Sequence, residues 1–366
     1  MGTRATRLRS NLVQINSIDP KFYALGATIE TQTVGSPEGQ ATLAGLGVTI
    51  PDWFIPLYGD SEPIGQLLRP FPQYQSISSG VVENVGQSSY HALQTKLERR
   101  FRNGLNLLAS YTFSKTLTDA DSTFPTFSAF ASNNFGGQNP FNLKSEKTLS
   151  YQDTPHAVVI SYLYELPAGP GKKYLNHGVA SKVLGGWQIG AVHRYQTGSP
   201  VIMNSFAPSP QFSGGNFKYS LVPGVNIYSP TKSSFNPELP TGCSENQTDG
   251  TFTSNTTNNY FNCAAFLDQN APGLVAQRGY QFGNLPLTLG NVRSDSYFSE
   301  DFAIVKRTQI VEGQSLILKV DIPNAFNRHV FGTLDGFVGS GTFGVPKGRN
   351  TINASRVIQI TLRYQF

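Results

Sequence analysis

Hydrophobic and polar positions alternate along much of the chain with a period of two. From Leu105 the odd positions read Leu105, Leu107, Ala109, Tyr111 and Phe113, while the even ones read Asn106, Leu108, Ser110, Thr112 and Ser114. Successive side chains of a strand point to opposite faces, so the pattern predicts a strand with one apolar face. Just before it, Leu93, Thr95, Leu97 and Phe101 alternate with Gln94, Lys96, Glu98 and Arg100. Asn103-Gly104 separates the two runs, and Asn-Gly is a strong hairpin signal. The alternation returns in four more runs. Val158, Ile160, Tyr162, Tyr164 and Leu166 share one phase, as do Trp187, Ile189, Ala191 and Tyr195. So do Leu316, Leu318, Val320 and Ile322, and finally Ile358, Ile360, Leu362, Tyr364 and Phe366. A strand around Tyr297 to Arg307 alternates less cleanly and brings the total to seven.

Most of these runs are about 10–12 residues long. Strands of soluble proteins usually run about 5–6 residues, whereas a tilted strand needs about 9–11 to cross a bilayer. Tyr111, Phe113, Tyr162, Tyr164, Trp187, Tyr195 and Tyr364 stand on the apolar phase, many near strand ends, as membrane-facing aromatics of interfacial girdles do. The opposite phase carries Gln, Lys, Arg and Thr, which suits a hydrated lumen. Shorter and longer connections alternate, the longest being roughly 198–296. Outer-membrane barrels pair short periplasmic turns with long extracellular loops in this way. The expected fold class is therefore all-β: a portion of an antiparallel transmembrane β-barrel, about seven or eight long strands with long extracellular loops. Pro323 falls at the end of the sixth strand and is expected to mark a bulge or a defect in the ladder.

Composition sharpens this picture. Charged residues make up 14% of the 366 and aromatic residues 12%, which argues against disorder and coiled coil. No run of 18 apolar residues offers a transmembrane helix. The net charge is +5, but the basic residues are scattered, so nucleic acid is not an expected partner. The two cysteines, Cys243 and Cys263, lie in the longest connection and are expected to form one disulfide, which implies an oxidising compartment. The N-terminus has no apolar signal-peptide core. Bacterial single-chain barrels have even strand counts, so an odd seven points to the C-terminal part of a larger barrel. Residues 1–87 would then be an extracellular-loop region of that parent, marked by turn residues such as Ser36-Pro37-Glu38-Gly39 and Arg69-Pro70-Phe71-Pro72, and 88–366 the barrel strands and loops.

Several stretches resemble one family. They are Asn11-Leu12 through Asp19-Pro20-Lys21-Phe22-Tyr23-Ala24-Leu25-Gly26, Arg69 to Tyr74, Ser89-Tyr90-His91-Ala92-Leu93 to Phe101, and Leu108 to Lys115. Further on come Tyr164-Glu165-Leu166-Pro167, Leu184-Gly185-Gly186-Trp187-Gln188, Tyr260-Phe261-Asn262 with Ala265-Phe266, and Asn324-Ala325-Phe326-Asn327. Their order and spacing resemble the C-terminal barrel region of Oar-like TonB-dependent outer-membrane transporters. The resemblance implies a bacterial outer-membrane location and a role in nutrient uptake, with barrel wall and ligand-capture loops supplied by this stretch. It implies as partners the outer-membrane lipid, the barrel-insertion machinery reading the terminal Phe366, and the remaining N-terminal barrel and plug. The family's TonB box and plug have no counterpart here, so TonB would be reached only through the plug. Two other readings stay open: a surface or adhesion protein without transport, and a nonfunctional truncated remnant.

Candidate chemistry is sparse. Gly339 to Gly344 spells GxGxxG, but it lies between two strands and precedes Val345-Pro346, so a dinucleotide site is not expected. Asp119 and Asp121 offer only two carboxylates. Asp153 and His156 flank Pro155 as a conceivable acid–base pair without a nucleophile. His91 and His193 fall on apolar-phase positions, and Lys172-Lys173-Tyr174-Leu175 sits in a short connection, where it can face anionic headgroups or simply water. Asn246, Asn255 and Asn353 open N-x-S/T triplets. No catalytic, cofactor or metal residues are expected, and the chain is not expected to be an enzyme.

Overall fold

The computed structural model describes residues 1–10, 15–75, 77, 83–100, 104–120, 138–175, 177–205, 207–212, 217–348 and 354–366. Asn11, Leu12, Phe101, Asn103, Asp121 and Asn353 of the sequence reading lie outside them. Among the described residues eight long strands pair antiparallel in chain order: β1 (Gly2–Ser10), β2 (Glu83–Arg100), β3 (Leu105–Thr118), β4 (His156–Glu165), β5 (Trp187–Gln196), β6 (Tyr297–Val311), β7 (Gln314–Ile322) and β8 (Gln359–Gln365). A short strand, Thr148–Leu149, adds to the upper end of β3.

The register keeps the two phases apart across the sheet. Leu97 stands opposite Ala109, Ala109 opposite Ile160, Tyr162 opposite Ala191, Ile189 opposite Ile304, Ile304 opposite Val320 and Val320 opposite Ile360. One face is therefore apolar from β2 to β8. A one-residue slip anywhere would turn it over, so the alternation itself fixes the register. The wall is not half of a soluble sandwich. On its apolar face Leu93, Leu97, Ile360 and Leu362 are each more than half exposed, and nearly all the buried apolar side chains lie elsewhere.

Two expectations need correction. Residues 2–10 and 83–87 stand in the wall rather than in a loop region, which makes eight long strands among the described residues, within the expected seven or eight. Strand β1 was hidden because its positions in phase with the apolar face are Gly2, Arg4 and Thr6, with no large apolar residue among them, and beyond Thr6 its pairing with β2 shifts register, with Arg7 at φ 58°. Pro323 marks neither a bulge nor a ladder defect. The pairing of β6 with β7 ends at Phe302–Ile322, and Pro323 opens the tight turn that follows.

The packed core sits in the long connections. The described residues within 16–72, 138–150, 198–295 and 330–348 build one head at the upper end of the wall. Phe54, Phe217, Phe261, Phe266 and Phe343 are fully buried there, together with Ile18, Ile29 and Ile64. Ser36-Pro37 forms the start of helix α1 (Pro37–Gly45): the Ser36 hydroxyl accepts the Gly39 N–H at 3.0 Å, and proline occupies the first turn, where no N–H is needed. Buried amides tie the turn at 69–75. The Asn16 amide donates to the carbonyls of Phe71 and Tyr74, and the Gln66 amide to those of Pro72 and Tyr74.

Cys243 and Cys263 form the disulfide in this head, with both side chains buried. It closes a loop of 20 residues. In the chain-entropy model such a cross-link is worth about 3 kcal/mol. Replacing both cysteines by serine is expected to lower the head's stability by about that much. Denaturant unfolding with and without reductant checks it: reductant should destabilise the parent and leave the double variant unchanged.

Candidate functional site

The polar face of the wall is a graded charged surface. Lys96 pairs with Glu98 at 3.1 Å and Lys319 with Asp321 at 2.9 Å, each pair two residues apart on one side of its strand. Glu165 accepts hydrogen bonds from Lys172 at 2.7 Å and from the Gln188 amide at 2.8 Å. A hollow of about 930 Å³ lies mostly on this face, its lining a mixture of Lys96, Glu98, Arg100, Asp301 and Asp321 with apolar Leu108, Leu163 and Val192. Both charge signs are present on it.

The apolar face carries aromatic side chains toward its ends. The register puts Tyr111, Phe113, Tyr162, Tyr164, Trp187, Tyr195 and Tyr364 all on it. Trp187 and Tyr195 lie eight residues apart on β5, about 26 Å along a strand, close to the roughly 25 Å height of a barrel's apolar band. Toward the head, the Tyr111 hydroxyl meets His156 Nδ1 at 2.9 Å, and the His156 ring lies 5.2 Å from that of Phe113. The His193 ring stacks on Tyr162 at 5.6 Å and meets the Tyr195 hydroxyl at 3.2 Å. At the other end Tyr364 donates to Gln314 at 2.6 Å, and its ring lies 5.9 Å from that of Phe366.

Alternation conceals one charged pair on this face. Glu300 stands opposite His193 and is almost fully buried. Arg328 donates to both of its oxygens, at 3.2 and 3.3 Å, and its guanidinium lies 5.8 Å from the rings of Phe298 and Phe326. The turn after Pro323 makes this possible. There the Asn324 N–H donates to Asp301 and the Ala325 N–H to the Glu300 carbonyl, so 324–328 replaces the missing continuation of β7 against β6.

Asp153 and His156 do not form an acid–base pair. His156 points at Tyr111, as above. Asp153, almost fully buried, accepts the Thr116 N–H at 2.7 Å and the Arg293 guanidinium at 2.7 Å. Arg293 also donates to the carbonyls of Asp153 and Gly198. This clasp joins the top of β3, the turn before β4 and two segments of the longest connection. A second junction runs through Gln138, whose amide donates to the Gly283 carbonyl and whose oxygen accepts the N–H groups of Lys218 and Gly283. Lys218 in turn pairs with buried Glu146.

Two buried carboxyl oxygens lack partners among the described residues, Glu245 Oε1 and Asp268 Oδ2. Burial, and then the neighbouring Glu245, raise the Asp268 carboxyl to about 7, against the pull of the Asn270 N–H. Nearer the surface, Lys232 Nζ lies 3.4 Å from the Tyr228 ring and 4.9 Å from that of Tyr260, and burial lowers its pKa. None of these groups carries a periodic sequence signal. The Gly339–Gly344 segment is a turn of the head with Phe343 buried. A side chain at Gly344, where φ is +86°, would meet Tyr260 Cβ at 2.6 Å, so the close approach accounts for that glycine. Among the described residues no group of three or more His, Cys, Asp and Glu could hold a metal ion, and no helix is long and apolar enough to cross a membrane, which says nothing of strands.

A family model described as outer membrane beta barrel domain matches residues 1–359. The chain belongs to this family, and its place is the outer membrane. Among solved structures, the outer membrane transporter YddB from Escherichia coli is similar over 78% of this chain and 26% of its own, at 10% identity and a TM-score of 0.33. The chain thus spans about a quarter of that transporter's length, and a likeness at this level says nothing of function. No curated protein matches the chain.

Proposed function

We propose that this chain supplies part of the barrel wall, and the extracellular ligand-capture loops, of a TonB-dependent receptor for nutrient uptake. It performs no chemistry of its own. The observation that carries the reading is a wall with one apolar and one charged face, roofed at one end by a cored head. Lipid wets the first face and water the second. Among the described residues β1 and β8 each have a single strand neighbour. An open edge is not tolerated in hydrocarbon, so further strands of the same receptor close the barrel, and its plug contacts TonB. Phe366 serves the insertion machinery.

The coding DNA upstream of residue 1 tests this reading. It is expected to continue in frame into a plug and further strands. A separate promoter and signal sequence there would favour an independent surface protein instead. The orientation of the wall has its own test. Ile160→Arg, on the apolar face in mid-strand, is expected to cost about 2–4 kcal/mol, and Ser161→Arg, on the polar face, little. Heat-modifiable electrophoretic mobility of the outer-membrane fraction reads both, and equal losses would overturn the orientation.

A further inference from the structure

The connection between β4 and β5 bears apolar residues that the barrel does not need. It contains a short helix, α2 (Gly178–Leu184), whose Val179, Val183 and Leu184 are 78%, 57% and 53% exposed. Val179 and Val183 lie one turn apart and share a stripe. Tyr174 and Leu175, just before the helix, are also about half exposed. Water-exposed turns rarely carry such a cluster without a partner.

The helix is fixed to the apolar side of the wall. Trp187 and Lys306 are paired neighbours on that face, and Lys306 Nζ lies 5.0 Å from the Trp187 ring. The Lys306 ammonium donates to the carbonyls of Lys182, Val183 and Gly185, the C-terminal end of α2. A cation there satisfies carbonyls without intrahelical partners and opposes the negative end of the helix dipole. Gly185 packs so closely that a Cβ would lie 2.4 Å from Gly169 Cα, and one on Gly186 would lie 2.2 Å from the Arg307 carbonyl oxygen. The backbone of the connection is thereby held against the lower rim of the lipid-wetted wall. Lys173, His177 and Lys182 are exposed around the same cluster.

We infer that α2 and the residues before it form an interfacial anchor on the periplasmic leaflet of the outer membrane. Val179, Val183 and Leu184 enter the boundary between headgroups and acyl chains, and Lys173 and Lys182 meet lipid phosphates. Two observations select lipid as the occupant: continuity with the apolar wall through Trp187 and Lys306, and basic residues beside an apolar stripe, which is the composition of helices that lie in the interface plane. The inference rests on the apolar face being the outward one.

Spin labels test it on the full-length protein in phosphatidylcholine–phosphatidylglycerol bilayers. Both native cysteines are in the disulfide, so a cysteine introduced singly reacts alone. Labels go on Val183→Cys, Ile160→Cys and Glu312→Cys, the last in the β6–β7 turn. Collision with oxygen against a water-soluble nickel chelate reports depth. The expected result is a label at 183 about 5–10 Å below the headgroup level, one at 160 deeper, and one at 312 in water. A label at 183 as open to nickel as that at 312, with 160 still protected, overturns the anchor alone. A label at 160 open to nickel overturns the outward assignment and the anchor with it.

Discussion

Asp153→Ala is expected to destabilise the junction between wall and head by about 3–5 kcal/mol, the usual result of removing one partner from a buried ion pair. The carboxylate is 1% exposed and its partner Arg293 16% exposed, so solvent replaces little of what is lost. Two interactions go at once: the Thr116 N–H loses its acceptor and the guanidinium its counter-charge. Arg293 keeps only neutral carbonyls. Asp153→Ala/Arg293→Leu should recover much of the loss, because no unpaired charge stays buried. Urea unfolding followed by tryptophan emission in a Trp187→Phe background gives the values, since the remaining Trp53 lies in the head and packs on Phe54. A loss below about 1 kcal/mol would place the pair in the class of exposed bridges and refute the clasp.

This clasp also shows where sequence reading stops. The seven strands and the face that each alternate residue takes were legible because a wall between lipid and water needs one unbroken phase per strand, and phase survives in a single sequence. β1 was lost because Gly2, Arg4 and Thr6 occupy the slots that continue the apolar face. The β6 strand read poorly because Glu300 occupies an apolar-phase slot, and only the turn at 324–328 supplies the Arg328 that lets it stay there. Of the head only the Cys243–Cys263 disulfide was legible. Phe54, Phe217 and Phe343 meet across hundreds of residues with no period linking them. Ser36-Pro37 read as a turn, although the same residues start a helix, since N-caps and turns use the same chemistry. Asp153 and His156 looked paired because they are near in sequence, yet they point to different elements.

Asp268→Asn should remove a pH dependence from the head. The folded pKa of Asp268, raised by burial and by Glu245 to about 7, lies above the ordinary 3.8. Between those values the folded chain keeps a proton that the unfolded chain has released. Stability is therefore fully present below the unfolded value, declines as pH rises, and is lost through the folded value. The protonated acid can donate from Oδ2 toward Glu245 Oε1, the other orphaned oxygen, while Oδ1 still accepts the Asn270 N–H at 2.8 Å. Asparagine reproduces this arrangement at every pH, with its amide as the permanent donor. Urea midpoints of Trp53 emission, read in the same Trp187→Phe background, are thus expected to fall from pH 5 to pH 8 in the parent and to stay nearly level in the variant, which becomes the more stable of the two at pH 8. Parallel curves would mean that Asp268 is charged throughout this range and that its orphaned oxygen has another partner.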